Sequence, residues 1–326
     1  MKNILVFIIF FLLFSIISCN NKADRSKAFI PDSSGNLNHI TVVMPISDWK
    51  GELGKLVRDN LGKEYEGLPL DEPQFSLDYL NPKAFSGFGR QSRNIIWFQK
   101  DSVSRFQLAK DQFSRPQIVG LVTGEDSEVQ QFLFEENILL FSQTVKENER
   151  KEKLRRINKS PTNDKNLKKR FGYDLVYPSV YETVKDTANF IWIQKKVQKG
   201  HLNIIAYEIS DNISDKNFNT KILNIRDSIG KLYIPGRLRG SYMITERAYQ
   251  PYFYKVTLDG KKGYLTKGTW EVANDFMAGP FVNYIVRDSL TEKWMVIEGF
   301  AFAPSMNKRD YMFELNTIIT TIKKVN

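Results

Sequence analysis

The chain of 326 residues holds one cysteine, Cys19, and two histidines, His39 and His201. No disulfide can close within it, so burial alone must hold the fold, and no ligand set remains for zinc of the usual His and Cys type. A histidine-based triad would have to use His39 or His201. The Gly-x-Ser-x-Gly elbow, the His-Glu-x-x-His pair and the phosphate-loop and dinucleotide fingerprints are missing. Ser47 with Lys50, and Ser305 with Lys308, form the Ser-x-x-Lys string that opens the motif of penicillin-binding enzymes, but the Lys-Thr-Gly element it requires is absent. Asp71 and Glu72 are neighbouring acids in a loop, with no second carboxylate placed opposite them. No cofactor, metal or catalytic residue is therefore assigned, and binding or assembly is expected ahead of enzymatic activity.

Long apolar runs are also scarce. The one conspicuous run, Ile4 to Phe14, follows Lys2 and is too short for a membrane span, which needs about 20 residues, but it suits the core of a secretory signal. It ends in Ile16-Ile17-Ser18-Cys19, which resembles a bacterial lipobox. That resemblance implies cleavage before Cys19, a lipid on the Cys19 thiol and a protein held on a membrane by several acyl chains. It also gives the lone cysteine a role, since an unpaired thiol in a secreted protein is unusual. Residues 1–18 are then the signal and residues 19–38 a polar, flexible tether. The tether lacks the acidic run that marks surface export in such lipoproteins, so an outer-membrane anchor facing the periplasm is expected.

The formal net charge is +10. Such a balance suits anionic headgroups or nucleic acid, and an envelope location argues against nucleic acid. Much of the excess lies in residues 146–170, with eleven Lys and Arg against four acids. Glu147 with Lys151, Glu149 with Lys153 and Glu152 with Arg156 are spaced i,i+4 in the stabilising orientation, which describes an exposed helix face. The functional alternative is a basic patch for membrane or partner made of Lys151, Lys153, Arg155, Arg156, Lys168, Lys169 and Arg170. Two glycine-rich loops carry a second candidate, an anion site at Arg90 and Arg93 in one and Arg237 and Arg239 in the other.

Periodicity predicts a mixed α+β fold, antiparallel sheets packed by amphipathic helices. A strand at His39–Met44 precedes a helix over Asp48–Leu61 with Ser47 as N-cap, and strands follow at Phe75–Leu80, Asn94–Lys100 and Gln117–Thr123. A helix runs from Ser127 past Lys153. Strands at Leu175–Val184, Asn189–Val197 and Leu202–Ile209 and a helix at Lys216–Ile229 repeat that order. Asn94–Lys100 and Asn189–Lys195 share five of seven residues, which reads either as a duplicated α+β unit, with Trp97 and Trp192 as equivalent core anchors, or as coincidence. The expected division is a first half at 39–157, a second at 158–231 after the basic linker, and an aromatic antiparallel segment with a closing helix at 232–326. In that last segment Asp259–Gly263 reads as a hairpin turn, and exposed aromatics could stack on sugars.

The lipobox, the tether, the Trp-centred strand Asn94–Lys100, the basic linker and the Met295–Pro304 strand ahead of a terminal helix together resemble a family of uncharacterised Bacteroidetes-type lipoproteins, a domain of unknown function. The resemblance spans roughly residues 30 to 326 and implies no catalytic residues. The resulting expectation is a lipid-anchored envelope protein for binding or assembly. The alternatives are a glycan-binding protein and a hydrolase with a loop-assembled site.

Overall fold

The computed structural model describes residues 29–162, 165–210, 212–288 and 291–325. Cys19, the signal and most of the tether lie outside the described residues. From Pro31 the chain is already docked: Arg115 N donates to Pro31 O at 2.8 Å and Ser34 N to Gln91 O at 2.8 Å. The expected flexible spacer up to residue 38 thus stops short, because backbone pairing claims residues 31–34.

The first unit begins with β1 (His39–Val43), α1 (Ile46–Lys50) and α2 (Glu52–Leu61). The single helix expected from Asp48 is broken at Gly51, and the N-cap of α1 is Pro45, not Ser47. β2 (Ser76–Leu80), β3 (Asn94–Lys100), β4 (Arg105–Lys110) and β5 (Ile118–Gly124) complete a sheet of order β2-β1-β3-β5-β4. Its first four strands run parallel and only β4 is antiparallel. Crossovers with helices bury such strands on both faces, which explains the continuous apolar run of β3. Ile96 and Phe98 pack under α2 and the long α3 (Ser127–Ile157), while Ile95 and Trp97 face Phe85 on the other side.

The second unit comprises α4 (Asn166–Phe171), β6 (Tyr173–Asp174), β7 (Glu182–Thr187), β8 (Phe190–Val197), β9 (Gly200–Ile209), α5 (Phe218–Tyr233), β10 (Met243–Thr245), β11 (Tyr252–Leu258), β12 (Lys261–Val272), β13 (Asp275–Arg287), β14 (Trp294–Phe302), α6 (Arg309–Ile319) and β15 (Lys323–Lys324). β7 to β14 form one eight-stranded antiparallel sheet, in which β14 pairs with β9. The expected boundary at 231/232 is therefore absent, because strands from both sides of it share a ladder. Side chains alternate along the strands: Ile204, Met295 and Ile297 face α6, whereas Ile205, Tyr207 and Val296 face α5. β11 and β12 turn through Asp259 and Gly260, at φ 50 and 70, the two left-handed positions of a type I′ hairpin.

The α+β class and the helices laid on antiparallel strands match the sequence reading. The duplicated unit does not. β3 is flanked by parallel neighbours and β8 by antiparallel ones, so the shared heptapeptide serves two different sheets. Trp97 packs on Phe85 with centroids 4.8 Å apart, whereas Trp192 Nε1 donates to Asn203 Oδ1 at 3.0 Å. Both are half-buried.

Candidate functional site

Between the units, residues 62–74 form a lip. Its ends close on themselves, with Tyr65 N donating to Glu72 O at 2.8 Å and Gln74 N to Lys63 O at 2.7 Å. Its middle lies flat on β12 at Gly67. There φ is +84, and a Cβ would meet Lys267 Cβ at 3.0 Å and Gly268 N at 3.1 Å, so only glycine permits the approach.

Side chains pin the lip to the second unit. Glu66 Oε2 accepts from Tyr254 Oη at 2.8 Å and Lys267 Nζ at 3.1 Å. Burial pushes the Glu66 pKa up, but these two donors outweigh it and hold the carboxyl below its usual range. Tyr254 is raised in turn to about 12, by burial and then by Glu66. At the other end Glu72 is buried and accepts from the backbone of Lys308 at 2.6 Å and of Arg309 at 2.9 Å. It thereby satisfies free N–H groups at the start of α6. The acid pair Asp71 and Glu72 is thus split, with Glu72 serving as a helix cap.

Two cavities open beside this lip. The larger, about 860 Å³, is lined by the lip, by Arg58 and Asp59 of α2 and by Tyr249, Gln250 and Tyr252. Leu70, Tyr249 and Tyr252 are 68%, 56% and 45% exposed. The smaller, about 400 Å³, shares Lys63–Glu66 as lining and is otherwise lined by residues that include Gln143 and Lys146 of α3, Lys267, and Asn316 of α6. Crowding by protein, followed by the like charges of Lys63 and Lys267, pushes the Lys146 pKa down, and Glu66 opposes this. The Lys146 side chain nevertheless remains exposed.

The sequence-predicted sites fare differently. Arg93 is buried and bound to Glu149 at 2.6 Å. Arg90 donates to Phe85 O at 3.1 Å and rests over the Phe85 and Phe113 rings. Arg237 is bound to Asp275 at 2.6 Å, and Arg239 is exposed. The two loops belong to different units and their guanidinium groups are largely committed, so they do not build an anion site.

The basic patch is mostly neutralised as well. Lys151 meets Glu147 at 3.4 Å, Arg155 and Arg156 share Glu152 at 2.6 and 2.7 Å, Lys168 lies 3.7 Å from Asp174, and Arg170 lies 2.8 Å from Asp186. Lys153 turns inward to Glu314, where Lys195 also binds at 2.7 Å. Of the seven, only Lys169 has no ion pair among the described residues.

The Ser-x-x-Lys strings are not assembled for chemistry. Ser47 Oγ donates to Asp48 Oδ1 at 3.3 Å, and Lys308 Nζ to Met306 O at 2.6 Å. His39 Nδ1 lies 2.9 Å from Asp78 Oδ2, in the first unit, and His201 lies on β9 in the second. Among the described residues no group of three or more His, Cys, Asp or Glu is placed to hold a metal. No helix among them is long and apolar enough to cross a membrane.

Sequence reasoning did not reach Lys63, Glu66 and Lys267, and met Lys146 only as the first member of the basic run at 146–170. The only signal was a Gly-Pro-rich loop, because the partners lie up to 201 positions apart.

Two family models cover the units almost end to end: DUF8532 over residues 33–158 and DUF4837 over residues 160–321. Each model matches one unit, and both describe domains of unknown function. The junction at 158–160 falls where α3 ends, which agrees with two units and not three. No curated protein matches the chain. Among solved structures, LpqN, described as involved in cell envelope biogenesis of Mycobacterium tuberculosis, is 13% identical over 51% of this chain and 90% of its own, with a TM-score of 0.30. A mutant of the protein Mog1 is 11% identical over 48% of this chain and 92% of its own, at 0.31. A structure from Bacteroides thetaiotaomicron is 10% identical over 51% and 48%, at 0.23. Scores this low carry no functional argument.

Proposed function

We propose that the protein is a lipid-anchored envelope protein, held through Cys19 to the outer membrane and facing the periplasm, and that it binds a glycan in the larger trough beside the lip. The supporting observation is the pair Tyr249 and Tyr252, large and exposed, over a polar-lined cavity of about 860 Å³. A sugar ring offers an apolar face of C–H groups and a rim of hydroxyls. Exposed aromatic faces accept the first, and side chains such as Arg58, Asp59, Asp71 and Gln250 accept the second. Glu66, whose partners hold its carboxyl below the usual range, is unsuited to the role of a general acid.

Two experiments test the reading. Cells fed a clickable fatty acid label the wild-type protein and leave Cys19→Ala unlabelled; equal labelling of both rejects the anchor. The domain from residue 29 onward co-sediments with isolated peptidoglycan, and Tyr249→Ala with Tyr252→Ala lowers the bound fraction. A domain that stays wholly in the supernatant rejects this glycan.

A further inference from the structure

At the smaller cavity two lysines, Lys63 and Lys146, stand without an ion pair among the described residues. Lys63, Lys146 and Lys267 line a single cavity of about 400 Å³. Lys267 is fixed by Glu66 and sits over the rings of Tyr65 and Tyr254, with centroids at 5.9 and 5.6 Å. Of the carboxylates at this cavity, Glu66 is already shared between Tyr254 and Lys267, and Glu147 is engaged by Arg150 through two contacts of 2.9 Å. Glu64 lines the cavity without an ion pair to either lysine.

Lys63, Lys146 and Lys267 share this cavity, and burial, followed by the like charges of Lys63 and Lys267, disfavours the charged form of Lys146, with Glu66 opposing. Neutral donors complete the wall. Asn316 accepts from Tyr284 Oη at 2.9 Å through Oδ1, which leaves its amide N–H groups free to donate, and Gln143 supplies a second amide. An oxyanion seated among these groups relieves the mutual repulsion and gains charge-assisted hydrogen bonds. The same Lys63–Glu66 segment also lines the tyrosine trough, so the two cavities adjoin along it.

The geometry points to a subsite for an acidic substituent, a carboxylate or a phosphate, formed by Lys63, Lys146 and Lys267 and occupied by the charged group of the glycan whose ring lies against Tyr249 and Tyr252. This rests on the trough reading above and adds selectivity for charge.

The test uses the chain from residue 29 onward and four probes: inorganic phosphate, N-acetylglucosamine, N-acetylglucosamine 1-phosphate and N-acetylmuramic acid. Binding is measured by calorimetry, and lysine accessibility by acetylation and peptide mass spectrometry, with exposed Lys50 and Lys83 as internal standards. Phosphate slows acetylation of Lys63 and Lys146 relative to those standards. One or both acidic sugars bind at least about tenfold more tightly than the neutral sugar, the value of a single charge-assisted contact. Which acidic sugar wins separates a carboxylate from a phosphate ligand. Lys63→Gln and Lys146→Gln abolish that preference and keep their thermal midpoints, since both side chains are exposed.

The proposal is overturned if phosphate and the acidic sugars leave both lysines as reactive as before, or if the glutamine variants keep the wild-type preference. Failure of the trough reading looks different. In that case phosphate still protects the lysines, but Tyr249→Ala binds every sugar as the wild type does.

Discussion

Arg226 holds its Nη2 2.9 Å from Oε1 of Glu298, and the two side chains are 1% and 0% exposed between α5 and the large sheet. Every remaining polar group of the pair is occupied. Arg226 Nη1 donates to Thr245 Oγ1 at 3.0 Å, Asn283 Nδ2 donates to Glu298 Oε2 at 2.9 Å, and the guanidinium lies 3.9 Å over the Phe281 ring. Removing one partner strands a buried charge, so Glu298→Gln or Arg226→Met lowers stability by about 3–5 kcal/mol in chemical denaturation. The double variant Arg226→Met with Glu298→Leu recovers most of the loss. A double variant as unstable as the sum of the singles argues against this account.

Gly67 sits at positive φ directly against β12. Gly67→Ala costs about 1–3 kcal/mol from backbone strain alone, and it lifts the lip off Lys267. Limited proteolysis then cuts within residues 62–74 faster than in the wild type, while the far-ultraviolet circular dichroism stays unchanged. A variant cut at the wild-type rate shows that the lip is not seated by this contact.

Glu72 joins the units by capping α6. Glu72→Ala removes the acceptor for two backbone N–H groups and costs about 0.5–2 kcal/mol. Hydrogen exchange locates the effect, with faster exchange at the amides of Lys308 and Arg309 and little change in β1 or β3.

Acid stability depends on Glu152. Burial raises its pKa, but hydrogen bonds from Arg155 and Arg156 dominate and lower it from 4.5 to about 2. The folded state thus binds the proton less readily than the unfolded state. The contribution is complete above the unfolded pKa and is lost as pH falls from about 4.5 towards about 2. Glu152→Gln is less stable than the wild type at neutral pH, and the gap closes across that window. A gap that stays constant with pH excludes the carboxylate as its cause.

Much of the fold was legible because local patterns carried it. The apolar run of β3 gave its ends correctly, and the Asp-Gly turn gave the β11–β12 hairpin. β4 was missed although Phe106 and Leu108 alternate with Arg105 and Gln107, because only those two large apolar residues mark a short edge strand. Parallel pairing in the first sheet had no sequence mark, since a strand buried on both faces reads alike in either direction. The helix spacing foresaw Glu147 with Lys151 and Glu152 with Arg156. It failed for Glu149 and Lys153, which turn away from each other to Arg93 and Glu314. Those choices are made by tertiary partners, as are the contacts of Lys63, Lys146 and Lys267.

The long helix α3 ends as a member of both units. Phe134, Phe141 and Val145 belong to the core of the first, whereas Ile157 belongs to the core of the second and Lys153 reaches Glu314 on α6. A gene fragment cut at the junction of the two families leaves the downstream portion with an open notch in its core and the Glu314 carboxylate short of one of its two lysines. The two domains are therefore poor candidates for independent shuffling, and recombination that keeps a working protein is expected to move them together.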